Sequence, residues 1–536
     1  MKTSVKAAVF VLLSIFVIQG VWAIADKSPT ADELAHHVAS GYSYLLTGDF
    51  RMNPASPPVP RMLAAFPLLF LKARAPLDHP SWKEGNSPVF AHQFFYVYNK
   101  DADQLIFWAR IPILFLSALF GLAVFLWSRK LFGDAGGLAG LCLYVFCPDI
   151  LAHSSLGTAD LSVGFFSFLT FVAFWAYLKE PLLKRALWTG AAAGLAFLSK
   201  FTAVLLFPIL LLVLLVSGKI KSVRFWHVPV LLTTCFLTVW AGYFFEIKPL
   251  LKNTPDSPKK IAFLKKIGGE RLVRFSEKTP IPLSTFTSAV GSMVFTRAKG
   301  THAYLLGEWS GKGWWYYYFI AFFVKNTIPF LLFGLLGLVF IRRLGADRLT
   351  LATLLGPLLF FFLVTMPDRA QAGIRYFLPV YPLWIALGAG ATAYFWKKGG
   401  LSRICAVVLL LWHAASALLV GPHYLAYFNE IAGGPEGGRR ILRDSNIDWG
   451  QDLKGLARVV KEANYPRVVL FYAWPADPGY YKIPYRKIKD EELLKPENEV
   501  YAVAVHRMDR AVWTKGLKPD RTVGHSILIY DLRSSK

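Results

Sequence analysis

An all-α polytopic membrane protein of about eleven transmembrane helices, followed by a small extracytoplasmic α/β domain, is the fold class this sequence predicts. Three observations predict it. Hydrophobic residues make up 55% of the 536 positions and mean hydropathy is +0.42, which excludes an ordinary soluble enzyme. Several stretches approach or exceed eighteen apolar residues, close to the roughly 20 that a helix needs to cross ~30 Å of hydrocarbon. Residues 422–536 lose that character and are polar enough to face water.

Hydropathy places spans near 5–24, 106–127, 135–151, 160–178, 186–199, 201–217, 227–245, 316–341, 349–366, 375–396 and 402–420. Many Trp and Tyr fall near their ends, where amphipathic rings favour the interface. Alternate connections hold short basic clusters: Lys2 and Lys6; Arg129 and Lys130; Lys179, Lys184 and Arg185; Lys219, Lys221 and Arg224; Arg342, Arg343 and Arg348; Lys397, Lys398 and Arg403. Short loops rich in Lys and Arg stay in the cytoplasm. One orientation satisfies every cluster, with the N-terminus inside and the C-terminus outside a plasma membrane (the inner membrane of a Gram-negative cell). Val21-Trp22-Ala23 also resembles a signal-peptidase site, but a retained first span is the reading adopted here, and Asp32 lies outside either way.

The stretch 186–217 is apolar apart from Lys200, and basic clusters flank both ends. The chain must therefore go out and return, with arms of about 21–26 Å at 1.5 Å per residue. Lys200 then sits at the apex of a short hairpin, below the outer membrane surface. An ionisable residue at that depth is a functional candidate, with a snorkelling apex lysine as the plainer reading.

Three long segments face outward: 25–105, 246–315 and the tail, giving a transmembrane unit over 1–421 and a second unit over 422–536. Residues 258–267 read as a basic amphipathic piece lying on the membrane, interrupted at Gly268-Gly269. In the tail, 467–472, 500–505 and 526–530 read as strands, and 451–463 has helical periodicity. Cys142, Cys147, Cys235 and Cys405 all lie in hydrophobic stretches, so neither a disulfide framework nor a cysteine zinc site is expected. The 59 basic against 34 acidic residues suit cytoplasmic anchors, anionic lipid and phosphate-bearing substrates rather than nucleic acid.

Chemistry-bearing residues gather at the outward turns. Asp32 and Glu33 follow the first span, with His36 one helical turn beyond Asp32. They form a base or cation site, or an acidic helix start with capping value. Thr158-Ala159-Asp160 precedes the fourth span, Lys200 is the hairpin apex, Lys325 precedes Pro329, and Arg375-Tyr376 opens the tenth span. Lys325 also fits interfacial snorkelling, and Arg375 a span-end anchor. Asp444, Asn446, Asp448 and Trp449 suit a sugar, or a turn and cap feeding the 451–463 helix. No zinc spacing or nucleotide-binding glycine loop is visible. No cofactor is required, although a divalent cation at the carboxylates is compatible with them.

In their order and topology, Asp32-Glu33, Thr158-Ala159-Asp160, Leu198-Ser199-Lys200, the 318–329 segment, Arg375-Tyr376 and the tail string Tyr427 to Gly434 resemble the bacterial protein O-mannosyltransferase family. That family lies within the GT-C class of polyprenyl-phosphate-dependent glycosyltransferases, and its relatives include the lipid A aminoarabinose transferases. The resemblance implies a sugar donor linked through phosphate to a polyprenol, and an acceptor hydroxyl on protein, lipid or glycan. It implies Asp32 as base, Glu33 and Asp160 as orienting carboxylates, Lys200, Arg375 and Lys325 at the donor phosphate, and His36 and Tyr376 as further site residues. Relatives often carry a His before the Pro57-Pro58 pair; this chain has Ser56, so no role of that His transfers. The competing expectation is a polytopic transporter or flippase. Such proteins favour inverted repeats and midplane sites, and no internal repeat is visible here.

Overall fold

The computed structural model describes residues 2–251 and 257–534. Among them, six helices are long and apolar enough to cross a membrane: Thr3–Asp26, Ala102–Val145, Asp160–Lys179, Arg348–Thr365, Ile374–Lys398 and Gly400–Val420. The pair Tyr317–Lys325 and Ile328–Val339 makes a seventh if counted as one span bent by 115°.

Every expected span coincides with helix, and those at Leu183–Ser199, Phe201–Ser217 and His227–Gly242 are shorter than eighteen residues. The spans expected near 106–127 and 135–151 are two helices that turn back on each other at Gly133, where φ is 76° and ψ −175°, so that Tyr144 Oη donates to the Ser117 carbonyl at 2.8 Å. The arms flanking Lys200 are the 17-residue helix Leu183–Ser199 and a 3₁₀ turn, Phe201–Leu205, leading into Leu206–Ser217. Lys200 itself is extended (φ −159°, ψ 140°), so the chain breaks at the expected apex.

The helix Tyr381–Lys398 is central, packed against Ala102–Val145 and Ile328–Val339. Small residues permit the approach, as membrane helices associate through close backbone contact. A Cβ on Gly334 would stand 2.0 Å from the Trp384 ring, and one on Gly337 2.4 Å from the Leu387 carbonyl oxygen.

The two ends of this bundle differ in chemistry. At one end Lys179 pairs with Asp347 at 3.5 Å and lies over the Trp175 ring, while Arg348 donates to the Val216 carbonyl. Asp160 begins the helix that Lys179 ends. Twenty residues at 1.5 Å each separate the two by about 30 Å. The carboxylate and the basic cluster therefore sit at opposite ends.

Beyond the Asp160 end lie the long connections. Residues 27–101 fold into short helices, including Val38–Thr47, Val59–Ala65 and Ser87–His92. A helix, Ser257–Lys278, breaks at Gly268 and Gly269 as expected. An antiparallel hairpin joins Ala303–Leu305 to Glu308–Ser310. In the tail, a five-stranded mixed sheet runs in the order Tyr485–Lys487, Val468–Phe471, Val500–Ala504, Ile527–Asp531, Arg521–Val523. The first three strands are parallel and the rest antiparallel. Helix Leu453–Glu462 buries Leu453, Leu456 and Val460, a spacing that places all three on one face.

Candidate active site

Connections far apart in sequence meet at the Asp160 end. The first begins with Thr30-Ala31-Asp32-Glu33. Thr30 donates both its backbone N–H and its hydroxyl to Glu33 Oε2, each at 2.8 Å, which is the backbone half of a capping box. The turn that follows, Glu33–His37, is π-helical. π-Turns of this kind are uncommon and recur at functional sites. The wider turn brings both His36 and His37 within electrostatic reach of Asp32, where ordinary helical spacing aligned only His36.

The second connection is the turn before Asp160, together with the Lys200 apex. Lys200 Nζ donates to Asp160 Oδ1 at 2.6 Å and lies 4.0 Å from the centre of the Tyr376 ring. The third is the loop into Ile374–Val380. Arg375 Nη1 donates to Asp32 Oδ2 at 3.0 Å and stands 3.6 Å from Asp160 Oδ2. Its Nε donates to the Ala372 carbonyl at 2.9 Å, and Trp449 lies 4.3 Å beneath the guanidinium. Gly373 has φ 90°, and a Cβ there would fall 2.8 Å from Ser445 Oγ. Glycine thus lets this loop close on the tail.

The result is an alternating chain of charge, Asp32–Arg375–Asp160–Lys200, with its outer members reachable. Side-chain exposure is 29% at Asp32 and 22% at Lys200, against 14% at Arg375 and 4% at Asp160. Partial burial raises the Asp32 carboxyl, but Arg375, His37 and His36 outweigh it and hold it below the ordinary value of 3.8. Asp32 is therefore ionised. One oxygen is held by Arg375, and the other meets no hydrogen-bond donor among the described residues.

Two expected site residues are placed elsewhere. Glu33 is fully buried and saturated: Arg110 binds it through Nε and Nη2, both at 2.8 Å, and Gly157 N–H donates at 2.7 Å, besides Thr30. No lone pair is left for a substrate, so Glu33 anchors the loop that carries Asp32. Lys325 is also fully buried. Its ammonium donates to the carbonyls of Leu425 (2.9 Å) and Asn446 (2.7 Å) and lies 3.9 Å from Asp149. It pins the tail to the helix ends rather than facing the charge chain. His36 is exposed beside Asp32, and Tyr376 forms part of the wall at Lys200.

Sequence reading missed Arg110. Its signal was present, since an arginine inside an apolar span needs a partner. The string 444–451 turns out to be mainly a clamp. Asn446 Oδ1 accepts from Ile374 N–H at 3.0 Å and its Nδ2 donates to Tyr317 Oη at 3.2 Å. Ser445 donates to the Ala372 carbonyl at 3.0 Å, and the carbonyls of Trp449 and Gln451 accept from Ala31 and Ser28 N–H. Asp448 is buried under three donors: Trp474 Nε1, His506 N–H and Gly450 N–H. Asp444 differs. Its φ is 58°, and its half-buried side chain interacts with Arg375, His506 and Asp32.

Among the described residues, the group of acids close enough to share an ion is Glu492, Glu497 and Glu499 in the tail. Arg486 is bonded to Glu492 and Glu499 and lies 3.6 Å from Glu497.

No curated protein matches the chain significantly. Among solved structures, ArnT from Cupriavidus metallidurans bound to undecaprenyl phosphate aligns over 98% of both chains, at 10% identity and TM-score 0.49. The archaeal oligosaccharyltransferase AglB from Archaeoglobus fulgidus, in complex with an inhibitory peptide and a dolichol-phosphate, aligns over 89% of this chain and 60% of its own, at 15% identity and TM-score 0.39. Both likenesses are distant in sequence and in geometry. Residues 91–241, which include Asp160 and Lys200, match the family described as dolichyl-phosphate-mannose-protein mannosyltransferase. The resemblance to that family, read from motifs spread along the chain, is borne out across this segment.

Proposed function

We propose that this protein is a membrane glycosyltransferase, moving a sugar from a polyprenyl-phosphate donor to an acceptor hydroxyl on the non-cytoplasmic face of the plasma membrane. The observation that carries the reading is the clamping of Arg375 between Asp32 and Asp160, with Lys200 on the far side of Asp160. A base and two cations at one end of an apolar bundle are what transfer from a lipid-borne phosphoester needs.

The donor's tail stays in the bilayer, because leaving costs about 0.8 kcal/mol per CH₂. Its phosphate meets Lys200 and Arg375. Arg375 offers a planar fork that can bind two oxygens, and Lys200 a compact point charge. As the phosphate engages Arg375 it competes with Asp32, which loses the contact that depresses its proton affinity. Asp32 then becomes more basic once the donor is in place. It takes the proton of the acceptor hydroxyl as that oxygen bonds to the sugar's C1. The C1–O bond to phosphate breaks, and its electron pair leaves on the polyprenyl phosphate. That anion needs no proton, and the two cations stabilise it electrostatically. A single displacement of this kind inverts the anomeric centre. Asp160 holds both cations apart and oriented.

Mass spectrometry of glycoproteins, lipids and glycans from cells with and without the gene tests this reading. A glycoconjugate lost on deletion and restored by the wild-type gene, but not by the Asp32→Asn variant, supports it. Identical profiles in all strains would contradict it.

A further inference from the structure

Asp448 adjoins Trp449, which lies beneath Arg375, and holds a group of rings that the transfer chemistry above does not use. His506 lies 4.9 Å from the Trp474 ring, tilted by 39°, and meets Trp309 edge-on at 5.6 Å. Each member is fixed from behind. Asp448 accepts from Trp474 Nε1 at 2.8 Å and from the His506 backbone N–H at 2.9 Å. Trp309 Nε1 donates to Asp509 at 2.9 Å, and Arg443 also binds Asp509 while stacking on Tyr304 at 4.0 Å. Both indole N–H groups are thus spent on the protein. Trp309 keeps 39% of its surface exposed, and Trp474 and His506 are half-buried.

Asp444 joins this ring wall to the reacting groups. Its carboxylate lies within electrostatic range of His506, Arg375 and Asp32. Its carboxylate accepts from the neighbouring Ser445 backbone N–H. Its left-handed backbone is uncommon for a residue other than glycine, and such conformations gather where the surroundings impose them. His506 Nδ1 is buried without a hydrogen-bond partner among the described residues, a demand that a bound hydroxyl or water would meet.

We propose that Trp309, Trp474, His506 and Asp444 form the acceptor subsite, and that the acceptor is a pyranose ring of a glycan. This rests on the transferase reading above. The C–H face of a pyranose carries slight positive charge and suits the negative face of an aromatic ring. A carboxylate at the edge of the rings can accept from the sugar's hydroxyls, which fixes orientation as the few convergent polar groups of a ligand site do. The acceptor hydroxyl then lies between Asp444 and Asp32, within reach of the base. A serine or threonine in an extended peptide would instead call for exposed backbone donors and acceptors in a row. The His506 N–H, between the two indoles, is already bound to Asp448 and is not available to pair with such a peptide.

The test uses the full-length protein in lipid nanodiscs, a polyprenyl phosphate carrying a radiolabelled sugar, and two acceptor panels: aryl pyranosides with short oligosaccharides, and serine/threonine peptides. Transfer to pyranosides is expected. Trp309→Ala and Trp474→Ala should each raise the acceptor KM by about five- to tenfold, the range that aromatic contacts are worth. Asp444→Asn should do the same, while Trp309→Phe and Trp474→Phe recover most of the loss. Affinity for unlabelled polyprenyl phosphate, measured on the same samples, should stay within about twofold for the tryptophan variants. Transfer to peptides alone, to neither panel, or to pyranosides with unchanged KM in all three variants overturns the subsite. Failure of the wild-type protein to bind polyprenyl phosphate at all overturns the transferase reading instead.

Discussion

Arg375 reaches Asp32 at 3.0 Å across 343 residues of chain, and the same guanidinium stands 3.6 Å from Asp160. One side chain thus ties the loop after the first span to the fourth and tenth expected spans. Its planar fork spans two carboxylates in a way that a single ammonium cannot. Arg375→Lys should therefore fold but lose donor recognition, with kcat/KM for the donor down by about 30-fold or more, equivalent to about 2 kcal/mol for a truncated charge pair. Steady-state kinetics at varied donor concentration check this. Unchanged kinetics would mean that Arg375 is a span-end anchor only.

Glu33 and Asp32 are neighbours with opposite roles. Glu33→Gln leaves Arg110 charged in a fully buried site, where breaking a pair costs about 3–5 kcal/mol. A lower Tm and poor recovery of monodisperse protein are expected for Glu33→Gln, with Asp32→Asn behaving as wild type in the same assays. A well-folded but inactive Glu33→Gln protein would instead place Glu33 among the reacting groups.

Asp448 makes the tail sensitive to pH. Burial pushes its carboxyl up to about 7, against the pull of its three hydrogen-bond donors. The unfolded value is near 3.8. Between these values the folded state binds more protons, so stability is greatest below about pH 4 for this group and falls as pH rises toward 7. Thermal melts of the purified protein between pH 5 and 8 should show the decline, and Asp448→Asn should flatten it. An equal slope in the variant would assign the dependence to other groups.

Much of this geometry was legible in the amino-acid order, and the reasons for the gaps are physical. Basic loops and hydropathy placed Asp32, Asp160, Lys200 and Arg375 at one end of the bundle, because span parity decides which turns share a side. The strands near 468, 500 and 527 stood out as short apolar runs rich in β-branched and aromatic residues. Parity says nothing of depth, however. Lys325 and Glu33 lie at the right end but are turned inward, each satisfied by partners that hydropathy does not rank: two carbonyls for one, Arg110 for the other. The connection expected between 127 and 135 is where the chain turns, at Gly133. The ring wall was invisible for a different reason. Trp309, Trp474 and His506 come from separate connections, and only the folded tail brings them together.

The sharpest test pairs two readings on one variant. In Asp32→Asn, transfer of labelled sugar should fall by about 10²–10⁴-fold, the range for a lost general base. Polyprenyl phosphate should bind as tightly as to wild type or more tightly, since the carboxylate that competes for Arg375 is gone. Loss of binding together with transfer, or transfer that persists, would contradict the assignment of Asp32 as a base held in check by Arg375.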